Sequence, residues 1–139
     1  MKEVRDNFRF RDWPVYRDAR QFRINVMNTV KTFPTEEKYA LADQTCRALS
    51  SILLNLAEGS NKNTDKDTRL FVNRAHGSLD EVVACMDCAL DNRYITSDQH
   101  SEILGKADVL AKQLKGFSVY LTRSIPVKDK RLTVKDSSL

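Results

Sequence analysis

The sequence predicts an all-α protein, an antiparallel up-down-up-down four-helix bundle with basic N- and C-terminal arms. Three observations carry that prediction. Four stretches repeat apolar residues at the 3.6-residue period of a half-buried helix. Short connections bearing helix stop and start signals join them, and short connections set consecutive helices antiparallel. The chain has 139 residues with 41% apolar side chains, enough for one core without disulfide or metal staples.

Residues 1–11 show no apolar period and read as a basic arm, residues 12–122 as the bundle and residues 123–139 as a basic disordered tail. Asp12 stands as N-cap of the first helix, with Pro14 tolerated in the first turn and a core stripe of Val15, Ala19, Phe22, Val26 and Val30. Phe33-Pro34-Thr35 closes that helix, and Glu36 and Glu37 suit the first turn of a second one that reaches Ala57. On the second helix Leu41, Thr45, Ala48, Ile52 and Asn55 share a stripe that Leu49 and Leu53 widen, while Leu54 lies almost opposite. Gly59 offers the positive φ that a helix C-terminus commonly uses, leaving Glu58 in the last turn, where the macrodipole disfavours a carboxylate.

After the loop Ser60-Asn61-Lys62-Asn63, Thr64 caps a third helix with Asp67 three residues on. Its stripe is Phe71, Ala75, Ser78, Val82, Cys85 and Ala89, broadened by Val72, Leu79, Val83 and Met86. Gly77 costs ~1 kcal/mol relative to alanine in mid-helix, and the expected reason is close helix approach. Asn92-Arg93-Tyr94-Ile95 is the next connection, and Thr96 with Gln99 forms a capping box for the fourth helix. Ile103, Ala107, Leu110, Leu114, Phe117 and Leu121 are its stripe.

Charge is uneven along the chain. Residues 1–33 carry eight basic against four acidic side chains, and residues 123–139 five against two, so the ends are positive and the middle is net negative. Such asymmetry can mark contact with a polyanion or serve as a solvated, solubilising surface. Three cysteines, an odd number, do not suggest a disulfide framework, and a reducing cytoplasm is expected. The longest apolar run, Ile52-Leu53-Leu54, is broken by Asn55, and residues 1–6 lack the hydrophobic segment of a signal peptide, so no membrane is expected as partner.

The run Ser51-Ile52-Leu53-Leu54-Asn55-Leu56-Ala57-Glu58-Gly59 resembles the S-I-x-x-N-I-A-E-G signature of four-helix-bundle proteins first noticed as products of intervening sequences in 23S ribosomal RNA genes. Upstream, Phe33-Pro34, Tyr39-Ala40-Leu41 and Gln44-Thr45-Cys46-Arg47-Ala48 are similar to the family's F-P…Y-G-L…Q-x-R-R-A; downstream, Phe71 and Ala75-His76-Gly77-Ser78-Leu79-Asp80-Glu81 are similar to its F…A-R-G-S-L-x-E. Similarity spans roughly Phe10 to Leu121 and departs at Cys46 and His76, so it implies no role for those two side chains. The resemblance implies a ring-like homopentamer with no enzymatic activity and no cofactor. It implies a nucleic-acid-binding accessory role, with RNA the expected partner, although the sequence alone does not choose between structured RNA, single-stranded DNA and an RNA–protein complex. One branch of similar proteins serves as the accessory subunit of diversity-generating retroelement reverse transcriptases, which makes a reverse transcriptase the alternative partner.

The candidate nucleic-acid contacts are Arg5, Arg9, Arg11, Arg17, Arg20, Lys62, Arg123, Lys128, Lys130 and Arg131, because bundle topology brings both arms and the loop of Lys62 to one end. Ile24, Met27 and Leu54 lie off the core stripes and are the candidate oligomer interface; a scaffold binding only protein through them is the competing function. Asn55 and Glu58 read either as a ligand site or, preferred, as a buried polar network with Arg74 and Ser78 that fixes helix register. Tyr16, Tyr39 and Phe33 read as core rather than as stacking platforms. Cys85-x-x-Cys88 lies deep inside a helix rather than at its N-terminus, which argues against a redox pair, and with His76 it still lacks the ligands of a zinc site. No Glu-x-x-His pair, phosphate loop or G-x-S-x-G motif marks a catalytic centre.

Overall fold

The computed structural model describes residues 7–37 and 39–124. A 3-10 turn at Arg9–Asp12 leads into four helices, α1 (Pro14–Val30), α2 (Leu41–Ser60), α3 (Asp65–Asp91) and α4 (Ser97–Ser124), with a second 3-10 turn at Thr35–Glu37 before α2. Each helix packs on the next and α1 returns to α4, an antiparallel up-down-up-down bundle whose broadest seams are α2–α3 and α3–α4. Side chains stitch these seams. The Ser51 and Ser78 hydroxyls meet at 2.8 Å between α2 and α3, Ser118 donates to Asn73 Oδ1 at 2.9 Å between α4 and α3, and Gln113 Nε2 donates to Asp18 at 2.7 Å between α4 and α1.

The apolar stripes turn inward. Val15, Ala19, Phe22, Val26 and Val30 of α1 meet Ala48, Leu49, Ile52 and Leu56 of α2, with Val72, Ala75, Leu79, Val82 and Met86 of α3 and Ile103, Ala107, Leu110, Leu114 and Leu121 of α4 completing one core. Leu56, not Asn55, is the fully buried residue of the last turns of α2. On α3 and α4, Ser78, Val83 and Phe117 are only half-buried and border the seams.

Three boundaries differ from expectation, each for a local reason. Asp12 does not cap α1, because it ends the preceding turn, in which Arg11 N–H donates to Phe8 O and Trp13 N–H to Phe10 O. Trp13 is the N-cap without a side-chain bond, held instead by its edge-to-face packing on Phe117 at 4.8 Å, and Pro14 follows at N1, where a missing N–H costs nothing. Glu36 and Glu37 lie in the separate 3-10 turn rather than in α2. Helix α2 passes Ala57 and ends at Ser60.

Gly59 is therefore inside α2, and no glycine among the described residues has positive φ. What requires glycine there is space: a Cβ would stand 2.7 Å from Cβ of Phe71 and 3.4 Å from the Thr68 carbonyl oxygen. Buried Thr68 donates its hydroxyl to Gly59 O at 2.9 Å, and Thr64 Oγ1 accepts from Asp67 N–H at 3.2 Å, so the start of α3 is capped against the end of α2. The expectation of close approach at Gly77 is wrong, since nothing lies within 4 Å of a Cβ built there. The left-handed residue is Arg93, with φ 62°. Tyr94 N–H bonds Ala89 O at 2.8 Å and Arg93 N–H bonds Leu90 O at 3.0 Å, the paired bonds of a Schellman ending with arginine where glycine is usual. Two residues on, Thr96 N–H donates to Gln99 Oε1 at 2.8 Å and Gln99 N–H to Thr96 Oγ1 at 3.1 Å, the capping box that opens α4.

These contrasts set the signs of three substitutions. Gly59→Ala is expected to destabilise the fold by about 1–3 kcal/mol through overpacking. Gly77→Ala, on an open helix surface, should stabilise by about 1 kcal/mol, and Arg93→Gly should stabilise by about 1 kcal/mol through relief of the left-handed conformation. Urea unfolding monitored by circular dichroism checks all three, with the midpoint falling for the first and rising for the others.

Candidate nucleic-acid interface

The end of the bundle where α1 starts and α4 finishes is built by two tethers. Arg9 donates from Nε at 3.0 Å and from Nη2 at 2.7 Å to the carbonyl oxygen of Ser60, placing a cation on the last residue of α2, at the negative end of that helix's dipole. Across the bundle, the Ser124 hydroxyl donates to the Asp65 carboxylate, joining the last residue of α4 to the first of α3. The turn before α1, the end of α4 and the α2–α3 loop thus converge. Arg9 belongs to the bonded turn, not to a free arm.

Around these tethers the predicted cations fall into two groups. Arg11, Arg17, Arg20 and Arg123 are exposed, and Lys62 holds its ammonium 4.7 Å from the Phe71 ring centre. Arg5, Lys128, Lys130 and Arg131 lie outside the described residues. The ion pairs among the described residues lie elsewhere: Arg47–Asp43 at the start of α2, His76–Asp80 in the middle of α3, His100–Asp87 across the opposite end, and Lys106–Glu102 and Lys112–Asp108 along α4. Arg9, Arg11, Arg17, Arg20, Lys62 and Arg123 enter no ion pair among the described residues. That positive charge remains available to an outside anion.

Asn55 and Glu58 part company. Asn55 is half-buried, and its Nδ2 donates to Ser51 O at 2.8 Å and Ser51 Oγ at 3.0 Å; through Ser51 it reaches Ser78, whose hydroxyl contacts Arg74 O at 3.2 Å. Ser51 is the hub, and sequence reasoning missed it although it stands one turn before Asn55. Glu58 does not join: it is exposed, and its carboxylate takes no hydrogen bond or ion pair among the described residues. The position nearly opposite the core turns it to solvent. Arg74 gives only its carbonyl, with its guanidinium 4.7 Å over Phe71.

The off-stripe apolar residues also divide. Ile24 and Leu54 are 48% and 67% exposed on the outer faces of α1 and α2. Met27 is half-buried in the α1–α2 seam, where the Cys46 thiol donates to its Sδ at 3.3 Å, so it is packing within one chain rather than outer surface. Val109, Val119 and Tyr120 of α4 are exposed apolar residues that the stripe reading passed over. Phe33 is buried against Tyr94 and Tyr16 packs edge-on against Phe10, but Tyr39, expected in the core, is 87% exposed in the loop before α2.

Cys85 is buried and burial pushes its thiol up, against a hydrogen bond from Thr45 that lowers it; Cys46 is likewise raised by burial, with nearby Arg23 opposing. Neither is an activated nucleophile. Among the described residues no three or more His, Cys, Asp or Glu side chains are grouped to hold a metal ion, and no helix is long and apolar enough to cross a membrane.

Comparison with known proteins finds similarity both to a sequence family and to solved structures. The family model described as 23S rRNA-intervening sequence protein matches residues 11–116. Among solved structures, a protein of unknown function from the S23 ribosomal protein family of Bacteroides thetaiotaomicron VPI-5482 superposes with a TM-score of 0.68 at 22% identity, covering 75% of this chain and 97% of its own. No curated protein matches.

The separation of Asn55 from Glu58 predicts opposite stability effects. Asn55→Ala should cost about 0.5–1.5 kcal/mol by removing bonds at a half-buried seam. Glu58→Ala should stay within about 0.5 kcal/mol of wild type. Thermal unfolding of the two variants side by side reads the difference.

Proposed function

The chain belongs to the 23S rRNA-intervening sequence protein family, and from that premise we propose that it is a non-enzymatic, oligomeric RNA-binding accessory protein of the cytoplasm. RNA lies against the bundle end that holds Arg9, Arg11, Arg17, Lys62 and Arg123, with Arg20 further along α1 and with Arg5, Lys128, Lys130 and Arg131 of the two arms. One observation carries this reading: the Arg9 and Ser124 tethers gather Arg9, Arg11, Arg17, Lys62 and Arg123 at one end of the bundle, and none of these cations has a carboxylate partner among the described residues. Phosphate contacts of this kind supply affinity without much sequence information.

A single copy offers few cations, so the proposal includes a homopentameric ring that brings several copies of the end around one axis. A ring joins two different faces of each subunit. Exposed Ile24 and Leu54 on α1 and α2 supply one such face. The same two residues favour a second reading, a scaffold that binds only protein.

The test is fluorescence anisotropy of a labelled RNA hairpin and a labelled single strand over a salt series. Log K should fall against log salt by about 0.7–0.9 per neutralised phosphate, and replacing Arg9, Arg11 and Arg123 by alanine should flatten the slope by up to about one unit per contact. Absence of binding at low salt would leave the protein-only scaffold. For the ring, light scattering at micromolar concentration should return a multiple of the chain mass, and Leu54→Asp should return the monomer with its helical circular dichroism intact.

A further inference from the structure

Glu58 is the polar residue for which the fold has no use. It lies in the last turn of α2, where the macrodipole disfavours negative charge, and it is exposed with no partner among the described residues. Its surroundings are not open surface. Between the turn before α1 and the end of α2 runs a groove of about 600 Å³, whose walls include Phe8, Arg9, Glu58, Ser60, Asn61 and Lys62. That volume is within the range of small-molecule sites and suits one nucleotide unit.

The wall composition is what a splayed-out base requires. Phe8 is 50% exposed and gives an aromatic face for stacking. Arg9 has two of its N–H groups fixed on Ser60 O, which immobilises its charge beside the groove, and Lys62 is steadied over Phe71; both are positioned to meet flanking phosphates. Glu58 is then an acceptor-only group facing a base edge. Guanine presents two adjacent donors, N1–H and the 2-amino group, to match the two carboxylate oxygens. Adenine and cytosine present one amino group beside an acceptor nitrogen, and uracil presents one N–H between two carbonyls that repel a carboxylate. We infer that this groove takes one unstacked guanine of single-stranded RNA, stacked on Phe8 and held at its Watson–Crick edge by Glu58. The inference rests on the RNA-binding reading and adds a base-specific contact to it.

The experiment uses the full chain and short labelled U-rich oligonucleotides that differ only at one central position, G, A, C or U, compared by anisotropy at fixed salt. Wild type should bind the G oligonucleotide about tenfold more tightly than the U one, the discrimination of one good bidentate contact. Glu58→Gln keeps the size but loses one acceptor, and should level the four affinities while leaving the U oligonucleotide unweakened. Phe8→Ala should weaken all four severalfold. Equal affinities in wild type, or a G preference that survives Glu58→Gln, would overturn the assignment. Salt-dependent binding without base preference would do so while leaving the RNA-binding reading intact, and no binding of any oligonucleotide at low salt would remove both. Circular dichroism melts of both variants establish that any loss is not unfolding.

Discussion

The constraint on which this end of the bundle depends is the contact of α2 backbone with α3 at Gly59. A glycine there lets Phe71 Cβ approach to a distance that no side chain would permit, and Thr68 then adds a hydroxyl bond to the Gly59 carbonyl, which Lys62 N–H also meets at 3.2 Å. From this corner the rest of the bundle end follows. Phe71, held against the backbone, is covered by Lys62 from the loop and Arg74 from its own helix. Since α2 continues to Ser60, its final carbonyl is presented to Arg9, which ties the segment before α1 to the same corner.

That geometry explains an electrostatic division. Along α2 and α4, three acidic and basic pairs four residues apart face each other and neutralise one another, at Asp43–Arg47, Glu102–Lys106 and Asp108–Lys112. At the corner, cations come from the turn before α1, from a loop and from the last turn of α4, and none of them meets a carboxylate among the described residues. Their ties are instead to a carbonyl oxygen and an aromatic ring. Neither neutralises charge, so the positive potential persists at the end that also receives both termini of the described chain.

Burial was legible in the sequence because it is a property of one helix at a time. The stripes from Val15 to Leu121 and the caps at Thr64 and Thr96 need only local spacing, and apart from half-buried Asn55, Ser78 and Phe117 at the seams they fold as read. What escaped depends on a second element. Gly59 looked like a chain reversal, but its meaning lies twelve residues away in Phe71; Arg93 takes the left-handed conformation in its place because Tyr94 and Ile95 must reach the core, and nothing in its own side chain announces it. Met27 seemed free because its partner, Cys46, sits on another helix. For the candidate site the cations were legible from charge alone, whereas the groove was not, since its walls are separated by about fifty residues of chain. Glu58 reads in the sequence as part of a buried network, whereas it is exposed, because it stands nearly opposite Leu56, the core residue of that turn.

The central claim is that one end of the bundle is the RNA-facing surface, and amide chemical-shift mapping tests it residue by residue. On titration of the labelled protein with a short single-stranded RNA, shifts should concentrate in residues 8–17, 58–69 and 119–124, the segments that the Gly59 corner and the Arg9 and Ser124 tethers bring together. Shifts centred instead on the opposite end, in residues 31–47 and 87–106, would contradict it.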